Sequence, residues 1–80
     1  MINLRDEAYI KEFGNNLKKI RLSKGLSQEE LANSSDVSLP QITRIENGKI
    51  NPTLRTIKSL AKGLDIQTKD LFGFELINDI

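Results

Sequence analysis

Apolar residues along this chain recur at helical spacing, and no segment alternates with the period of two that marks a strand. Phe13, Leu17 and Ile20 fall at i, i+4 and i+7, with Tyr9 and Ile10 one turn earlier. That stripe predicts an amphipathic helix over about residues 5–24, closed by Gly25. Gly14 lies inside it and weakens it locally, so a frayed or kinked N-terminal end is an open alternative.

Two short helices announce themselves by their caps. In Ser27-Gln28-Glu29-Glu30 the Ser27 hydroxyl can accept the Glu30 N–H while the Glu30 carboxylate reaches back, and Leu26 and Leu31 form the matching hydrophobic staple. This helix is expected to run to about residue 34. Eleven residues on, Ser38-Leu39-Pro40-Gln41 repeats the pattern, with Val37 and Ile42 as staple and Pro40 in the first turn, where its missing N–H costs nothing. The third helix continues through Ile42 and Ile45 to Asn47, and Gly48 ends it. Between the two lies a tight turn, Ser35-Asp36-Val37, with Asp36 suited to a left-handed backbone. Helices crossing steeply over such a turn need a small residue at their closest approach, and Ala32 is placed for it. Pro52-Thr53 starts a fourth helix, which carries Leu54, Ile57, Leu60, Ala61 and Leu64 on one face. Thr68 is the expected cap of a last short helix containing Leu71 and Phe72. The expectation is therefore all-α with five helices.

Length fits a single domain over residues 1–80, with a core at about 8–72 and an apolar tail at 73–80. Hydrophobic residues at 38% and charged residues at 29% place it among globular proteins rather than disordered ones. With neither Cys nor His, disulfides, thiolate metal sites, the commonest general base and the commonest metal ligand are all missing. No catalytic constellation remains, so an enzyme is set aside, and no cofactor, metal or small-molecule effector is expected. The N-terminus has no secretory character and no apolar run approaches the roughly 20 residues of a membrane span, which makes a cytoplasmic protein the simplest expectation. Net charge is only +1, but its distribution is uneven. Residues 13–62 hold nine Lys/Arg against four Asp/Glu (+5), while the flanks hold three against seven (−4). A basic middle between acidic ends is a footprint for DNA, although Lys18, Lys19, Lys58 and Lys62 equally suit solvated helix faces.

Four linked stretches now come together: Ser27-Gln28-Glu29-Glu30-Leu31-Ala32, Val37-Ser38, Ile45-Glu46-Asn47-Gly48-Lys49 and Pro52-Thr53-Leu54. At these spacings the chain resembles the Cro/C1-type (XRE) helix-turn-helix family over about three-quarters of its length. One departure is Asp36, where the family usually has Gly. The resemblance implies a five-helix, lambda-repressor-like domain whose helices 2 and 3 form the helix-turn-helix. It implies base reading by Leu39, Pro40, Thr43 and Arg44, with Gln41 beside them and torn between adenine and its cap. Arg44 can pair with guanine O6 and N7, Thr43 can donate, accept or touch a thymine methyl, and Leu39 and Pro40 offer only apolar contact. Phosphate contacts are implied for Gln28, then Ser38, Asn47 and Lys49. Arg21 and Glu46 are implied to form an internal ion pair.

The partner expected is a double-stranded DNA operator, read as a pseudo-palindrome by a homodimer. Leu71, Phe72, Phe74, Leu76, Ile77 and Ile80 exceed what a fifth helix needs, and so offer a dimer interface; folding back on the first helix is the competing outcome. The chain's shortness fits a regulator of the restriction–modification controller type. An antitoxin-like interaction module that also binds its own promoter is the alternative.

Overall fold

Capping chemistry sets where each short helix begins, in a computed structural model that describes residues 4–74. Ser27 Oγ accepts the Glu30 N–H at 3.0 Å and Glu30 Oε1 accepts the Ser27 N–H at 2.8 Å, and α2 follows as Gln28–Ser35. Ser38 Oγ accepts the Gln41 N–H at 3.3 Å and starts α3, Leu39–Glu46. The reciprocal half of that second box is not made: the Gln41 amide turns away and donates to Thr56 Oγ1 at 3.3 Å. Thr53 caps α4, Leu54–Leu64, by accepting the Thr56 N–H at 3.2 Å.

Left-handed residues close the helices. Asp36 (φ 60, ψ 29) ends α2, so the turn tolerates Asp as expected. Gly25 and Gly48 have positive φ, and the residue after each donates back into the helix: Leu26 N–H to the Arg21 carbonyl at 3.1 Å and Lys49 N–H to the Arg44 carbonyl at 2.9 Å.

α1, Leu4–Ser23, runs through Gly14 without interruption. Gly14 is buried where α1 crosses the end of α3, and a Cβ there would stand 2.1 Å from the Ile45 carbonyl oxygen and 2.9 Å from that of Glu46. Gly63 does the same for α2 and α4, since its Cβ would come within 2.7 Å of Ser35 Cβ. Gly14 and Gly63 are thus the small residues at the α1–α3 and α2–α4 crossings, and Ala32, expected at the α2–α3 approach, packs partly buried against the core.

The expected fifth α-helix is a 3₁₀ turn, Thr68–Phe72, leaving four α-helices among the described residues. Five residues are too few for repeated i→i+4 bonds, and other partners take the groups such bonds would use. Asp70 N–H donates to the Gln67 carbonyl at 2.9 Å, and the Asp70 carboxylate accepts the Gln67 N–H at 3.1 Å, which makes Gln67 rather than Thr68 the cap. From α1, Asn16 Nδ2 donates to the Leu71 carbonyl at 2.8 Å and the Asp70 carbonyl at 3.2 Å.

One cluster forms the core. Leu17 of α1, Leu31 of α2, Ile42 and Ile45 of α3, Leu60 and Leu64 of α4, and Leu71 are its fully buried members. Leu71 therefore belongs to the chain's own interior and is not surface for a partner, contrary to its place in the expected dimer interface. Phe72 packs on Phe13 with ring centroids 5.1 Å apart, and Phe74 on Tyr9 at 5.0 Å, both folding against α1. Leu76, Ile77 and Ile80 lie outside the described residues. No described helix is long and apolar enough to cross a membrane.

Gly14→Ala tests the α1–α3 approach. Helix propensity alone would stabilise the variant by about 1 kcal/mol, whereas forcing the two backbones apart costs about 1–3 kcal/mol. Urea unfolding should show a net loss; an unchanged or higher midpoint would remove the close approach as the reason for glycine.

Candidate nucleic-acid interface

α3 has two unlike faces. Ile42, Ile45 and Glu46 point inward and are buried, Leu39, Pro40 and Arg44 are exposed, and Gln41 and Thr43 lie between. The inward face is held by a polar cluster with a direction to it. Arg21 Nε donates to Glu46 Oε2 at 2.7 Å and Arg21 Nη2 to Glu46 Oε1 at 3.0 Å, a two-pronged pair whose side chains are only 6% and 1% exposed. A further guanidinium N–H, on Nη1, goes to the Leu26 carbonyl at 2.7 Å. The hydrogen bond to Glu46 raises the Arg21 pKa above its ordinary value, desolvation opposes this, and the Glu46 charge raises it further. Arg21 thus stays cationic wherever the protein is folded.

Glu46 Oε1 also accepts from Gln28 Nε2 at 2.9 Å, and the other end of that amide, Gln28 Oε1, accepts from Thr43 Oγ1 at 2.9 Å. Thr43 Oγ1 lies 3.1 Å from the Leu39 carbonyl as well. Gln28, the implied phosphate ligand, therefore has both ends of its side chain engaged within the protein. No buried side-chain nitrogen or oxygen among the described residues lacks a partner.

The remaining expected residues lie around the outward face. Arg44 is exposed and makes no side-chain hydrogen bond or ion pair among the described residues. Leu39 is 40% exposed. Ser38 uses its hydroxyl as the α3 cap. Asn47 and Lys49 follow α3 directly and are exposed. Gln41 sits apart from the others, in a chain with Thr56 and with Thr53, whose Oγ1 lies 3.1 Å from that of Thr56. That chain joins α3 to the start of α4, and sequence reasoning missed it. Gln41's spacing to Ser38 matched a capping box so well that a longer-range partner had no local signal. The Gln28–Glu46 and Gln28–Thr43 bonds were missed for the same reason.

At the start of α2, Ser27 and Glu30 satisfy one another, and the first helical bond, Leu31 N–H to the Ser27 carbonyl, spans 3.0 Å. This leaves the Gln28 and Glu29 N–H groups as the outward donors of that turn. Among the described residues no three acidic, His or Cys side chains gather as a metal site would require.

The helix-turn-helix family profile matches residues 17–71. Control protein C.BamHI of Bacillus amyloliquefaciens is 41% identical over 68 residues, covering 84% of each chain. The crystal structure of the restriction-modification controller protein C.AhdI from Aeromonas hydrophila superposes with a TM-score of 0.80 at 40% identity, covering 81% of this chain and 98% of that one. A structure of the controller protein C.Esp1396I, a tetramer in complex with its natural 35 base-pair operator, superposes with a TM-score of 0.75 at 33% identity, covering 80% of this chain and 84% of that one.

The charged cluster makes a two-sided prediction. Glu46→Ala strands the Arg21 charge and should cost about 3–5 kcal/mol in denaturant unfolding, while the double replacement Arg21→Met with Glu46→Leu should cost far less, since no buried charge is left unpaired. A Glu46→Ala protein with undiminished stability would contradict this account.

Proposed function

This chain belongs to the helix-turn-helix (XRE) family of DNA-binding transcriptional regulators, and we propose that it is a controller protein that docks α3 in the major groove of its own operator. The observation that carries this reading is the outward face of α3. Arg44 stands there with no side-chain partner among the described residues, while the opposite face is locked into the core. A free guanidinium suits guanine O6 and N7, the commonest specific contact in the major groove. Leu39 and Pro40 add apolar surface that suits thymine methyls.

Phosphates on either side position this face without reading sequence. Lys49 and Asn47 supply one contact from the loop after α3. The outward N–H groups of Gln28 and Glu29 supply another, at the positive end of the α2 dipole. The Gln28 side chain, held by Glu46 and Thr43, acts here through its backbone and through the rigidity it lends to α3.

One such module spans a half-site. Two copies related by a two-fold axis would present their α3 helices one turn of DNA apart, roughly 34–36 Å, and so read a pseudo-palindrome. The paired rings of Tyr9 and Phe74, with Tyr9 still 40% exposed, support a contact surface at the open side of α1. Regulation then follows protein concentration, as dimer and operator occupancy rise together, in the cytoplasm where the operator lies.

Duplexes enriched by this protein from a random library test the reading. Binding measured by fluorescence anisotropy should fall steeply with salt if several phosphates are neutralised. Arg44→Ala should cost about 1–3 kcal/mol at one base pair and relax preference there, whereas Lys49→Ala should weaken all sequences alike. Failure to enrich any sequence would end the proposal. Sedimentation at tens of micromolar should show a dimer; a monomer at that concentration would remove intrinsic dimerisation from it.

A further inference from the structure

We infer that Thr43 is a specificity-determining residue that reads DNA as a hydrogen-bond acceptor only, selecting a base that presents a major-groove amino group (adenine N6 or cytosine N4) on the strand nearest α3. This rests on the DNA-reading proposed above and adds to it a direction that residue identity does not contain, because a threonine hydroxyl can ordinarily donate or accept.

The direction is imposed from the core outward. Arg21 has only donors, so the Glu46 carboxylate beside it accepts. Glu46 Oε1 lies 2.9 Å from the end of the Gln28 side chain, and only the NH₂ end of an amide can meet a carboxylate there. Gln28 must then turn its oxygen to Thr43, at 2.9 Å. An amide oxygen cannot donate, so Thr43 does. The second neighbour of the hydroxyl, the Leu39 carbonyl at 3.1 Å, is also purely an acceptor. Whichever of the two takes it, the single hydroxyl hydrogen of Thr43 points into the protein, and the lone pairs are what remain for a ligand.

The neighbours make this lone-pair surface count. Leu39 and Pro40 have no side-chain hydrogen bonds to offer, the Ser38 hydroxyl accepts the Gln41 N–H as the α3 cap, and Gln41 Nε2 is drawn to Thr56. Beside them stand Arg44, which can only donate, and Thr43, which in this arrangement can only accept. Every base pair carries one amino group in the major groove, but on opposite strands for A and T, or for C and G. An acceptor fixed in place thus separates adenine and cytosine from thymine and guanine on its own strand.

The experiment compares library selections with wild type, Thr43→Val and Thr43→Ser, each checked for native helicity, followed by anisotropy on the enriched duplex. Wild type and Thr43→Ser should share a preference for A or C at one half-site position, and Thr43→Val should lose it there alone. Replacing that adenine by purine, or that cytosine by 2-pyrimidinone, removes the amino group. The change should weaken wild type about three- to tenfold, in keeping with one hydrogen bond, and leave Thr43→Val within about twofold. An unchanged preference profile for Thr43→Val, or a preference at that position for G or T, overturns the inference while leaving DNA reading intact. A wild-type protein that enriches no duplex takes down both.

Discussion

A carboxylate almost cut off from water is where the helices of this domain meet. Glu46 is the last residue of α3, so its charge lies at the negative end of that helix's own dipole as well as in the interior. Either circumstance alone disfavours an anion, and burying an ion costs several kcal/mol that only well-placed donors can offset. Three such donors are present: two N–H groups of Arg21 from α1 and the amide of Gln28 from α2. Arg21 in turn ties down the Leu26 carbonyl in the loop between them. Leucines could fill the same volume, but they would accept many small displacements. Directional donors at 2.7–3.0 Å accept few, so the cluster acts on the register of α1, α2 and α3 more than on net stability.

The close approach at Gly14 belongs to the same constraint. Gly14, Leu17 and Arg21 fall at i, i+3 and i+7 on α1, one stripe facing α3. Along that stripe the Gly14 position meets the Ile45 and Glu46 carbonyls, Leu17 is wholly buried, and Arg21 grips the Glu46 side chain. A Cβ at 14 would lift α1 from α3, and the guanidinium two turns later would lose its bonding distance. Glycine at one end and the ion pair at the other therefore depend on each other, although nothing links them in sequence.

Legibility followed the range of the interaction. Ser27 with Glu30, Thr53 with its own first turn, the left-handed Asp36 and the glycine stops are local, and each could be read from a few consecutive residues. The apolar stripes named most of the core, including Leu17, Ile42, Ile45 and Leu60, but Leu54, read onto the α4 stripe, sits in the first turn and is 84% exposed. What failed was set by partners far along the chain. Gly14 read as a weak point of α1 because its reason lies on α3. Gln41 read as the closing half of a capping box, yet Thr56 on α4 holds it. Leu71 and its neighbours read as a spare apolar tail, but the Asn16 side chain of α1 holds the carbonyls of that segment and Leu71 fills the core. The outward residues of α3 were legible as a group through the family resemblance, while the state in which each side chain is presented was not.

On the proposed reading, that state decides what α3 could discriminate. Arg44, with no side-chain partner among the described residues, would give up rotamer freedom on pairing with a base, a cost of up to about 2 kcal/mol that its charge-assisted bonds would have to exceed. Thr43 is already held by Gln28 and by the Leu39 carbonyl, so it has little freedom left to lose. On the proposed reading the two residues would contribute differently: Arg44 would adapt to the groove and bring affinity, and Thr43 would be a rigid mark against which α3 is registered. Because Thr43 is held through Gln28 and Glu46 by Arg21, the geometry of that mark is inherited from the core. The ion pair that sets the packing of the helices also sets the polarity of the surface they present.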